Sequence, residues 1–323
     1  MVVRWSRSRR GPTSSARSGG AEGGRAVQRI VVVVGATASG KTALAVRLAE
    51  RLDGEIVSAD SVQVYRRFDV GTGKPSAEER ARARHHLVDV IEPLEPMDAA
   101  RWATLAEAAI ADIASRGKLP IVCGGTFLFV RALLHGLAAA PGADPALRAR
   151  HQELAAREGR PALHAELARR DPASAARLHP NDLVRVSRAL EVLELTGRPL
   201  GALHAEHGFR DARYAPALIG VARDGAALDE RIARRVRSML AAGWLDEVRA
   251  LRTAGLGSAR AMRSVGYRQL AEAIEAGEPD APDLEARIVR ATRVFARRQR
   301  TWLRDERVRW LTEGEAEGFT PSW

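Results

Sequence analysis

The segment that most constrains the fold is a glycine-rich loop between an apolar run and a helical pattern. Ile30–Val34 is an unbroken β-branched run, typical of a strand buried on both faces of a parallel sheet. Ala43–Leu52 has leucines at helical spacing. Strand, loop and helix in this order predict an α/β fold built on a phosphate-binding loop. The loop matches G-x-x-x-x-G-K-[ST] and consists of Gly35, Ala36, Thr37, Ala38, Ser39, Gly40, Lys41 and Thr42.

The chemistry of this loop predicts a ligand that carries a di- or triphosphate. Its glycines allow successive backbone amides to turn toward phosphate oxygens, and the following helix adds partial positive charge at its N-terminus. Lys41 supplies a full charge, and the Thr42 hydroxyl can hold Mg²⁺. The alternative is a glycine turn without a ligand.

Composition limits the class of protein. The 323 residues are 46% hydrophobic and 28% charged, and no apolar run approaches the ~20 residues that span a bilayer. The single cysteine, Cys123, excludes a disulfide framework and a cysteine-based zinc site. We therefore expect an intracellular, cytoplasmic protein with no membrane segment.

The formal charge of +11 favours a polyanionic partner. Residues 1–27 contribute to it with six arginines against the single Glu22, and they are rich in Ser and Gly. This composition predicts a disordered basic tail. An organelle transit peptide is the alternative, although Gly11-Pro12 and Gly19-Gly20 interrupt any amphipathic helix there.

Candidate catalytic residues follow two further predicted strands. Asp60 comes directly after the predicted strand Glu55–Ala59, at the strand end where ligands bind α/β sheets. It is a candidate general base or magnesium ligand, with helix capping as the alternative. Leu119–Val122 is followed by Gly124-Gly125-Thr126, where glycines permit close backbone approach. No Walker-B aspartate follows that strand, which weakens an ordinary phosphoryl-transfer interpretation.

Two other segments carry reactive side-chain types. His85–Ile91 is predicted to be a strand, so the adjacent His85 and His86 face opposite sides and cannot chelate one metal together. Packing or hydrogen bonding is the expected role of these histidines. Cys123 is a weak candidate nucleophile, because a cysteine at a strand end is usually a small buried hydrophobe.

A change in composition after Ala138 predicts a second domain. Ala138–Asp144 is a small-residue linker, and Ala217–Val221 is a predicted strand that returns to the sheet. The predicted organisation is a core of residues 28–140 and 212–323 and a helical insertion of residues 141–211. The insertion's predicted helices are Pro145–Glu158, Pro161–Arg170, Pro172–Leu178 and Asp182–Thr196.

Arginine-rich helices dominate the C-terminal part. Leu228–Ala242 and Ile288–Arg304 are predicted helices, and Val308–Leu311 is a predicted strand. On the second helix five arginines fall within about 80° of one another at about 100° per residue. We expect this face to bind a phosphate backbone rather than to be merely solvated. The arginines are Arg290, Arg293, Arg297, Arg300 and Arg304, and the opposite face, predicted to pack, holds Ile288, Thr292, Phe295, Gln299 and Trp302.

The motifs together resemble those of bacterial tRNA dimethylallyltransferases. They are GATASGKT, DSVQVY, DVGTGKP, HHLVDV, GGT, LHPNDLVRVSRALEV, SVGYRQ and RRQRTWLR, in family order over residues ~30–310. The resemblance implies a phosphate-loop (P-loop NTPase-like) α/β parallel-sheet core with a helical insertion domain. It also implies that the loop holds dimethylallyl diphosphate with Mg²⁺ as cofactor, and that N6 of adenine 37 in tRNA is prenylated.

The resemblance assigns roles to individual residues. Asp60 is the general base, and Arg235 stabilises the leaving diphosphate together with the loop, with Thr42 acting through Mg²⁺. Thr126 lines the channel beside the reacting groups. The target adenine leaves the base stack. This adenine and the neighbouring nucleotides contact Asp60, Ser61, Val62 and Gln63.

The partner implied by the resemblance is the tRNA anticodon stem-loop, bound by a monomer. Two groups of residues are expected to contact it. In the insertion these are Arg148, Val184, Arg185, Val186, Ser187 and Arg188. In the C-terminal part they are Arg263, Ser264, Val265, Gly266, Tyr267, Arg268, Arg293, Arg297, Arg298, Gln299 and Arg300.

Departures from the family pattern leave every catalytic candidate in place. Phe127 and Phe129 stand where a small residue and Tyr are usual, Val184 where Gln is common, and Gly73 where Ala is common.

Three other functions stay open. They are prenylation of free AMP or ATP, phosphoryl transfer by a nucleoside or metabolite kinase, and RNA binding without catalysis.

Overall fold

A computed structural model describes residues 27–208, 213–304 and 306–323. The predicted basic tail lies outside these ranges except for Val27. Contacts divide the described chain into a helical unit, residues 135–208, and a core unit, residues 27–134 and 213–323. The helical unit thus begins earlier than the composition change predicts. No helix among the described residues is long and apolar enough to cross a membrane.

The core unit is built on a six-stranded sheet whose neighbouring strands all run parallel, in the order β3-β2-β4-β1-β5-β6. This confirms the predicted α/β class. The strands are β1 (Arg29–Val34), β2 (Gly54–Ser58), β3 (His85–His86), β4 (Leu119–Gly124), β5 (Ala215–Val221) and β6 (Arg309–Leu311).

Helices cover both faces of the sheet and form the second unit. They are α1 (Lys41–Arg51), α2 (Ala77–Arg82), α3 (Ala99–Ser115), α4 (Phe127–His135), α5 (Pro145–Glu158), α6 (Arg160–Arg170), α7 (Pro172–Ala175), α8 (Leu183–Thr196), α9 (Leu200–His207), α10 (Gly225–Ala241), α11 (Trp244–Thr253), α12 (Tyr267–Glu275), α13 (Leu284–Leu303) and α14 (Glu313–Gly318).

The central strand β1 is buried on both faces, as its β-branched run predicts. Ile30, Val32 and Val34 belong to the larger apolar cluster, which also contains residues of α3, α4 and α10 to α13. Val31 and Val33 belong to the cluster formed with α1. Each fully buried valine side chain contributes roughly 1.5–3 kcal/mol. The strand that precedes the phosphate loop is therefore fixed from both sides.

The register of the sheet brings the candidate residues to one edge. Cys123 of β4 is opposite both Val33 of β1 and Ser58 of β2. The chain segments that follow these strands therefore emerge side by side at their carboxyl ends. The phosphate loop, Asp60 and Thr126 all belong to these segments.

The predicted strand His85–Ile91 is wrong beyond its first two residues. Leu87 and Asp89 adopt φ angles of +59° and +61°, which break the extended conformation after β3. The Asp89 carboxylate binds Lys74 and, at 3.0 Å, Arg80, which holds the segment as a loop.

The two adjacent histidines make hydrogen bonds, as predicted. His86 Nε2 lies 2.7 Å from Glu55 Oε2, and His85 Nδ1 lies 2.7 Å from the Ala83 carbonyl. Within the described parts of the chain, no cluster of three or more His, Cys, Asp or Glu residues could hold a metal ion.

The helical unit has an apolar core of its own, contributed by α6, α7 and α8. Aspartate side chains cap α5, α7 and α8, and this explains why the predicted starts are close to the observed ones. The third predicted helix ends at Ala175 rather than Leu178, and α9 was not predicted. The core residues are Leu163, Leu167, Ala175, Val186, Ala189 and Leu190.

The buried Glu55 makes the core sensitive to acid. A hydrogen bond from Arg116 lowers the pKa of Glu55 from 4.5 to about 2, although burial opposes this, and His86 lowers it further. Because the folded pKa is depressed, the stabilisation is present above about pH 4.5 and is lost as the pH falls toward 2. Glu55→Gln should flatten the fall in unfolding free energy across this range. Denaturant titrations at several pH values test this.

The matched control is Glu78→Gln, since Glu78 is an exposed carboxylate. It should retain the wild-type pH dependence. An equal slope for wild type and Glu55→Gln would show that the Glu55 cluster does not contribute.

Candidate active site

The phosphate loop presents backbone amides that the protein itself leaves unused. Helix α1 begins after Gly40, which adopts φ +100° and provides no side-chain cap. Among the described residues, the amides of Gly40, Lys41 and Thr42 have no hydrogen-bond acceptor. The first amides of a helix are unsatisfied unless a cap or ligand binds them, and they carry the positive end of its dipole. This geometry is that of an anion site.

The opposite side of the loop is held by arginines from the C-terminal part of the chain. Arg231 Nε donates to the Ala38 carbonyl at 2.8 Å, and Arg223 Nε donates to the Ser39 carbonyl at 3.1 Å. Hydrogen bonds from charged donors contribute about 1.5–3 kcal/mol each. These contacts occupy two carbonyls of the loop and leave the amides of Gly40, Lys41 and Thr42 for a ligand.

A buried glutamine joins the phosphate loop to the turn after β4. Gln299 Oε1 accepts from the Thr37 amide at 2.8 Å, and its Nε2 donates to the Gly125 carbonyl at 2.9 Å. A Cβ atom at Gly125 would overlap this amide group, so the glycine makes the contact possible. Gln299 was predicted to contact tRNA. Its side chain is buried, as its place on the predicted packing face of the helix implies, and both of its amide atoms are hydrogen-bonded within the protein.

Asp60 and Thr126 meet beside the loop. Asp60 Oδ1 accepts from the amides of Val62 at 2.9 Å and Gln63 at 3.2 Å. Its Oδ2 has no hydrogen-bond partner within the described residues. Thr126 Oγ1 accepts from the Ser61 amide at 2.9 Å, which ties the two strand ends together. Asp60 therefore caps a turn rather than a helix. Its Oδ2 atom is left available to accept a proton.

The charged groups form one electrostatic cluster. Burial lowers the pKa of Lys41, while Cys123 and Asp60 raise it and Arg235 lowers it. Burial also lowers the pKa of Arg235, and Asp60 opposes this. Two cations thus share a site with one carboxylate, an excess of positive charge that suits a polyanionic ligand.

Cys123 is buried at the end of β4, which makes it a poor candidate nucleophile. Burial raises the pKa of its thiol to about 12, so it stays protonated at neutral pH. The thiolate is the reactive form of cysteine. Its role is packing, which was the alternative to nucleophilic catalysis.

A loop after β2 connects Gln63 and Arg235. Gln63 Nε2 donates to the carbonyls of Thr72 at 3.3 Å and Gly73 at 3.0 Å, and Arg235 Nη2 donates to the Thr72 carbonyl at 3.4 Å. Gly73 adopts φ +57°, and a Cβ atom there would overlap the Arg235 guanidinium. The absence of a side chain at Gly73 therefore leaves room for the Arg235 guanidinium.

The donor set beside the loop fits Mg²⁺ only as a complex with a phosphorylated ligand. Thr42 is half-buried in the first turn of α1 and offers one hydroxyl oxygen. The described residues contain no cluster of protein ligands for a metal. Mg²⁺ takes six oxygen ligands and often binds through substrate phosphates and water. The phosphate oxygens of a ligand on the loop would complete such a site.

A cavity of about 780 Å³ opens next to the loop. Its lining combines apolar side chains with charged groups of both signs, the arginines together with the carboxylates Asp224 and Glu306. Its lining includes Ala36, Ser39, Arg223, Leu228, Arg300, Leu303 and Trp310.

Comparisons with known proteins decide the family. A family model described as IPP transferase matches residues 63–306, and one described as isopentenyl transferase matches residues 28–94. The tRNA dimethylallyltransferase of Sorangium cellulosum is 63% identical over 87% of this chain and 90% of its own length. That of Anaeromyxobacter dehalogenans strain 2CP-1 is 57% identical over 88% and 92%. The chain belongs to the tRNA dimethylallyltransferase family.

Solved structures agree with this membership. The full-length tRNA isopentenylpyrophosphate transferase of Bacillus halodurans has a TM-score of 0.65 and 36% identity, over 88% of this chain and 90% of that one. A eukaryotic dimethylallyltransferase acting on tRNA has a TM-score of 0.71 and 26% identity, over 85% and 70%. The phosphate-loop α/β core expected for a tRNA dimethylallyltransferase is thereby confirmed.

Helix α13 presents most of its arginines to solvent. Arg290, Arg297, Arg300 and Arg304 are exposed and form no ion pair within the described ranges, whereas Arg293 lies 3.4 Å from Asp229. Arg298, outside the predicted row, is also exposed. The exposed arginines match the tRNA contacts expected for a tRNA dimethylallyltransferase, which stay a prediction.

The packing face of α13 differs from the predicted one. Phe295 and Trp302 are 41% and 42% exposed, although they were predicted to pack. The buried stripe includes Ile288 and Gln299, as predicted, but it runs through Ala296 and Leu303 instead of Phe295 and Trp302. The buried residues are Leu284, Ile288, Val289, Ala296, Gln299 and Leu303.

The SVGYRQ segment divides between surface and core. Arg263 and Arg268 are exposed and Ser264 and Val265 half-buried, so all four stay candidates for RNA contact. Gly266 and Tyr267, also predicted to contact tRNA, are buried against Trp244. Because both residues are buried in the core, neither lies where it could contact a surface ligand directly.

The predicted contacts of the helical unit also divide between surface and interior, and those of the partly exposed Arg148 and Arg188 stay predictions. Arg148 and Arg188 both bind the fully buried Glu191, at 2.8 and 2.7 Å. Val186 and Ser187 are buried in the unit's interior, where Ser187 lies 2.9 Å from His151. Val184 is 79% exposed and Arg185 is also exposed, so these two stay candidates for RNA contact.

Gln299→Leu tests the bridge between the loop and the turn after β4. The variant keeps the side-chain volume but removes both hydrogen bonds. Because each bond contributes about 1 kcal/mol and holds the anion site in shape, affinity for inorganic diphosphate with Mg²⁺ should fall roughly tenfold. Calorimetric titration measures this. Arg298→Leu, on the adjacent exposed position, should bind diphosphate like wild type, and unchanged affinity in Gln299→Leu would contradict the bridge.

Glu191→Ala tests the ionic core of the helical unit. Arg148, Arg188 and the Asp144 amide would lose their common acceptor. We expect a loss of about 2–4 kcal/mol in unfolding free energy and faster hydrogen exchange over residues 145–196. Glu206→Ala removes an exposed carboxylate of the same unit and should change neither. A loss below about 1 kcal/mol in Glu191→Ala would mean that the cluster is not stabilising.

Proposed function

We propose that this protein transfers the dimethylallyl group of dimethylallyl diphosphate to N6 of adenine 37 in tRNA and releases diphosphate. One observation carries the proposal. The unused amides of the phosphate loop, the carboxylate Asp60 and the cations Lys41 and Arg235 form one cluster at the carboxyl edge of the sheet. Relatives that cover most of the chain carry the name tRNA dimethylallyltransferase.

Asp60 fits the role of general base. Two backbone amides fix its Oδ1, while Oδ2 has no partner in the described protein. In the proposed reaction N6 forms a bond to C1 of the allyl group, the C1–O bond breaks, and its electron pair leaves with the diphosphate. Oδ2 accepts the proton that N6 loses. Proton transfer to a positioned group contributes about 10²–10⁴-fold.

The leaving diphosphate is stabilised by groups already in place. Negative charge grows on it as the C1–O bond breaks, beside the loop amides, Lys41 and Arg235. Donors that are oriented in advance stabilise such charge without reorganisation. When bound with the diphosphate, Mg²⁺ supplies further positive charge, and Thr42 would hold it.

Exposed groups on α12 and α13 suit the tRNA partner. A groove of about 470 Å³ between these helices is lined by Arg268, Arg287, Arg290 and Arg298 and by the half-exposed Phe295. Arginines bind phosphates, and an aromatic ring provides a stacking surface for an unpaired base. We expect the anticodon stem-loop to lie here and a monomer to suffice.

Two alternatives fit the structure less well. A kinase that follows the usual phosphate-loop pattern would place an aspartate after β4, where this chain has Gly124 and Gly125. An enzyme that prenylates free AMP or ATP would have no use for the exposed arginines of α13. The acceptor therefore distinguishes the hypotheses.

Reconstitution tests the proposal. The purified protein, dimethylallyl diphosphate and Mg²⁺ should form N6-dimethylallyladenosine in a tRNA with adenines at positions 36 and 37, as measured by nucleoside mass spectrometry. The same tRNA with guanine at position 37 should stay unmodified, and excess AMP should not compete. Prenylation of AMP in preference to tRNA, or phosphate transfer from ATP without a prenyl donor, would overturn the proposal.

Asp60→Asn separates catalysis from binding. Because asparagine cannot accept the N6 proton, turnover should fall about 10²–10⁴-fold, while tRNA affinity measured by filter binding should change little. Asp53→Asn is the control, since Asp53 is exposed and lies outside the site. Turnover near the wild-type value in Asp60→Asn would refute the role of Asp60 as general base.

A further inference from the structure

A carboxylate outside the predicted site organises the loop that connects Gln63 and Arg235. Glu247 of α11 accepts from the amides of Asp69 at 2.9 Å and Val70 at 2.7 Å through Oε2, and from the Gly71 amide at 3.4 Å through Oε1. Three successive amides around one anion form a backbone nest. Here the anion is part of the protein itself.

The same carboxylate is fixed from its other side by Tyr267. The phenol donates to Glu247 Oε1, and burial followed by the charge of Glu247 raises the pKa of Tyr267, so it stays a donor. Tyr267 packs edge-on against Trp244 at 5.5 Å and Phe68 at 5.1 Å between ring centroids. The Glu247 carboxylate is therefore hydrogen-bonded from two sides, by the loop amides and by the Tyr267 phenol.

The loop is closely packed where Glu247 holds it. A Cβ atom at Gly71 would overlap the Trp244 ring, and so would one at Gly266, where α12 begins. These glycines let the loop and α12 approach the same indole. The path of the loop is thus set by Trp244 and by the three hydrogen bonds to Glu247.

The carbonyls that follow the three amides bind the candidate catalytic groups. The Thr72 carbonyl accepts from both Gln63 and Arg235, and the Gly73 carbonyl accepts from Gln63. Any shift of the loop therefore moves Gln63 and Arg235 together. Gln63 is expected to contact the target adenine, and Arg235 is expected to contact the leaving diphosphate.

We propose that Glu247 is a positioning residue for the transfer reaction and that it aligns Gln63 with Arg235 through residues 69–73. It touches neither substrate. Its effect reaches both reacting partners because one loop carries both carbonyl contacts. This assignment rests on the proposed function, since the roles of Gln63 and Arg235 come from it.

The test compares Glu247→Ala and Glu247→Gln with Asp246→Asn, a matched change at the preceding, exposed position of α11. Hydrogen exchange at residues 69–71 is measured in the absence of substrates. Steady-state prenyl transfer then gives kcat and the KM values for tRNA and dimethylallyl diphosphate. Tyr267→Phe removes only the hydroxyl and serves as a second variant if Glu247→Ala does not fold.

In Glu247→Ala we expect faster exchange at residues 69–71 and a fall in kcat on the order of tenfold or more, with much smaller changes in both KM values. Glu247→Gln and Tyr267→Phe should lie between wild type and Glu247→Ala. Asp246→Asn should match wild type in every measurement.

Two results would overturn the assignment. One is faster exchange at residues 69–71 with an unchanged kcat, and the other is a reduced kcat with unchanged exchange. Absence of prenyl transfer by the wild-type protein would instead refute the proposed function, and the exchange data would still test the contact itself.

Discussion

The first amides of α1 have no hydrogen-bond acceptor in the described protein. The surrounding contacts fix the loop so that these amides stay without one. A helix end without a cap normally costs stability, because its amides lose water or a partner. Here the loss of stability arises only from the amides that a phosphate would bind. The carbonyls of the same loop are satisfied by Arg223 and Arg231, and the Thr37 amide is satisfied by Gln299. The site is therefore oriented before any ligand arrives.

Arginines in this chain serve three physical purposes that composition does not distinguish. Arg223 and Arg231 hold the phosphate loop, while Arg148 and Arg188 neutralise the buried Glu191. A third set, Arg290, Arg297, Arg298 and Arg300 of α13, is exposed and forms no ion pair within the described ranges. A positive net charge thus overstates the number of groups that a nucleic acid can contact, since much of it is engaged in the fold.

Local sequence patterns predicted the fold well, because each of these elements is specified by residues close together in the sequence. The β-branched run of β1, the aspartate caps of the helical unit and the glycine loop each specify their own conformation. The site was predicted less completely, since burial depends on tertiary packing. Gln299 and Tyr267 were taken for RNA contacts although both are buried. The contacts of Glu247 join segments that are distant in sequence. No motif or periodic pattern in the sequence therefore pointed to this residue.

The bridge between Gln299 and the Thr37 amide spans 262 positions of the chain. Ribosomal synthesis runs from the N-terminus, so the glycine loop emerges long before the side chain that fixes it. Strand β5, which pairs with β1, also emerges only after the whole helical unit. A nascent chain therefore carries the complete phosphate-loop sequence without an organised anion site until α13 has been made. The anion site can therefore be organised only after α13 has left the ribosome.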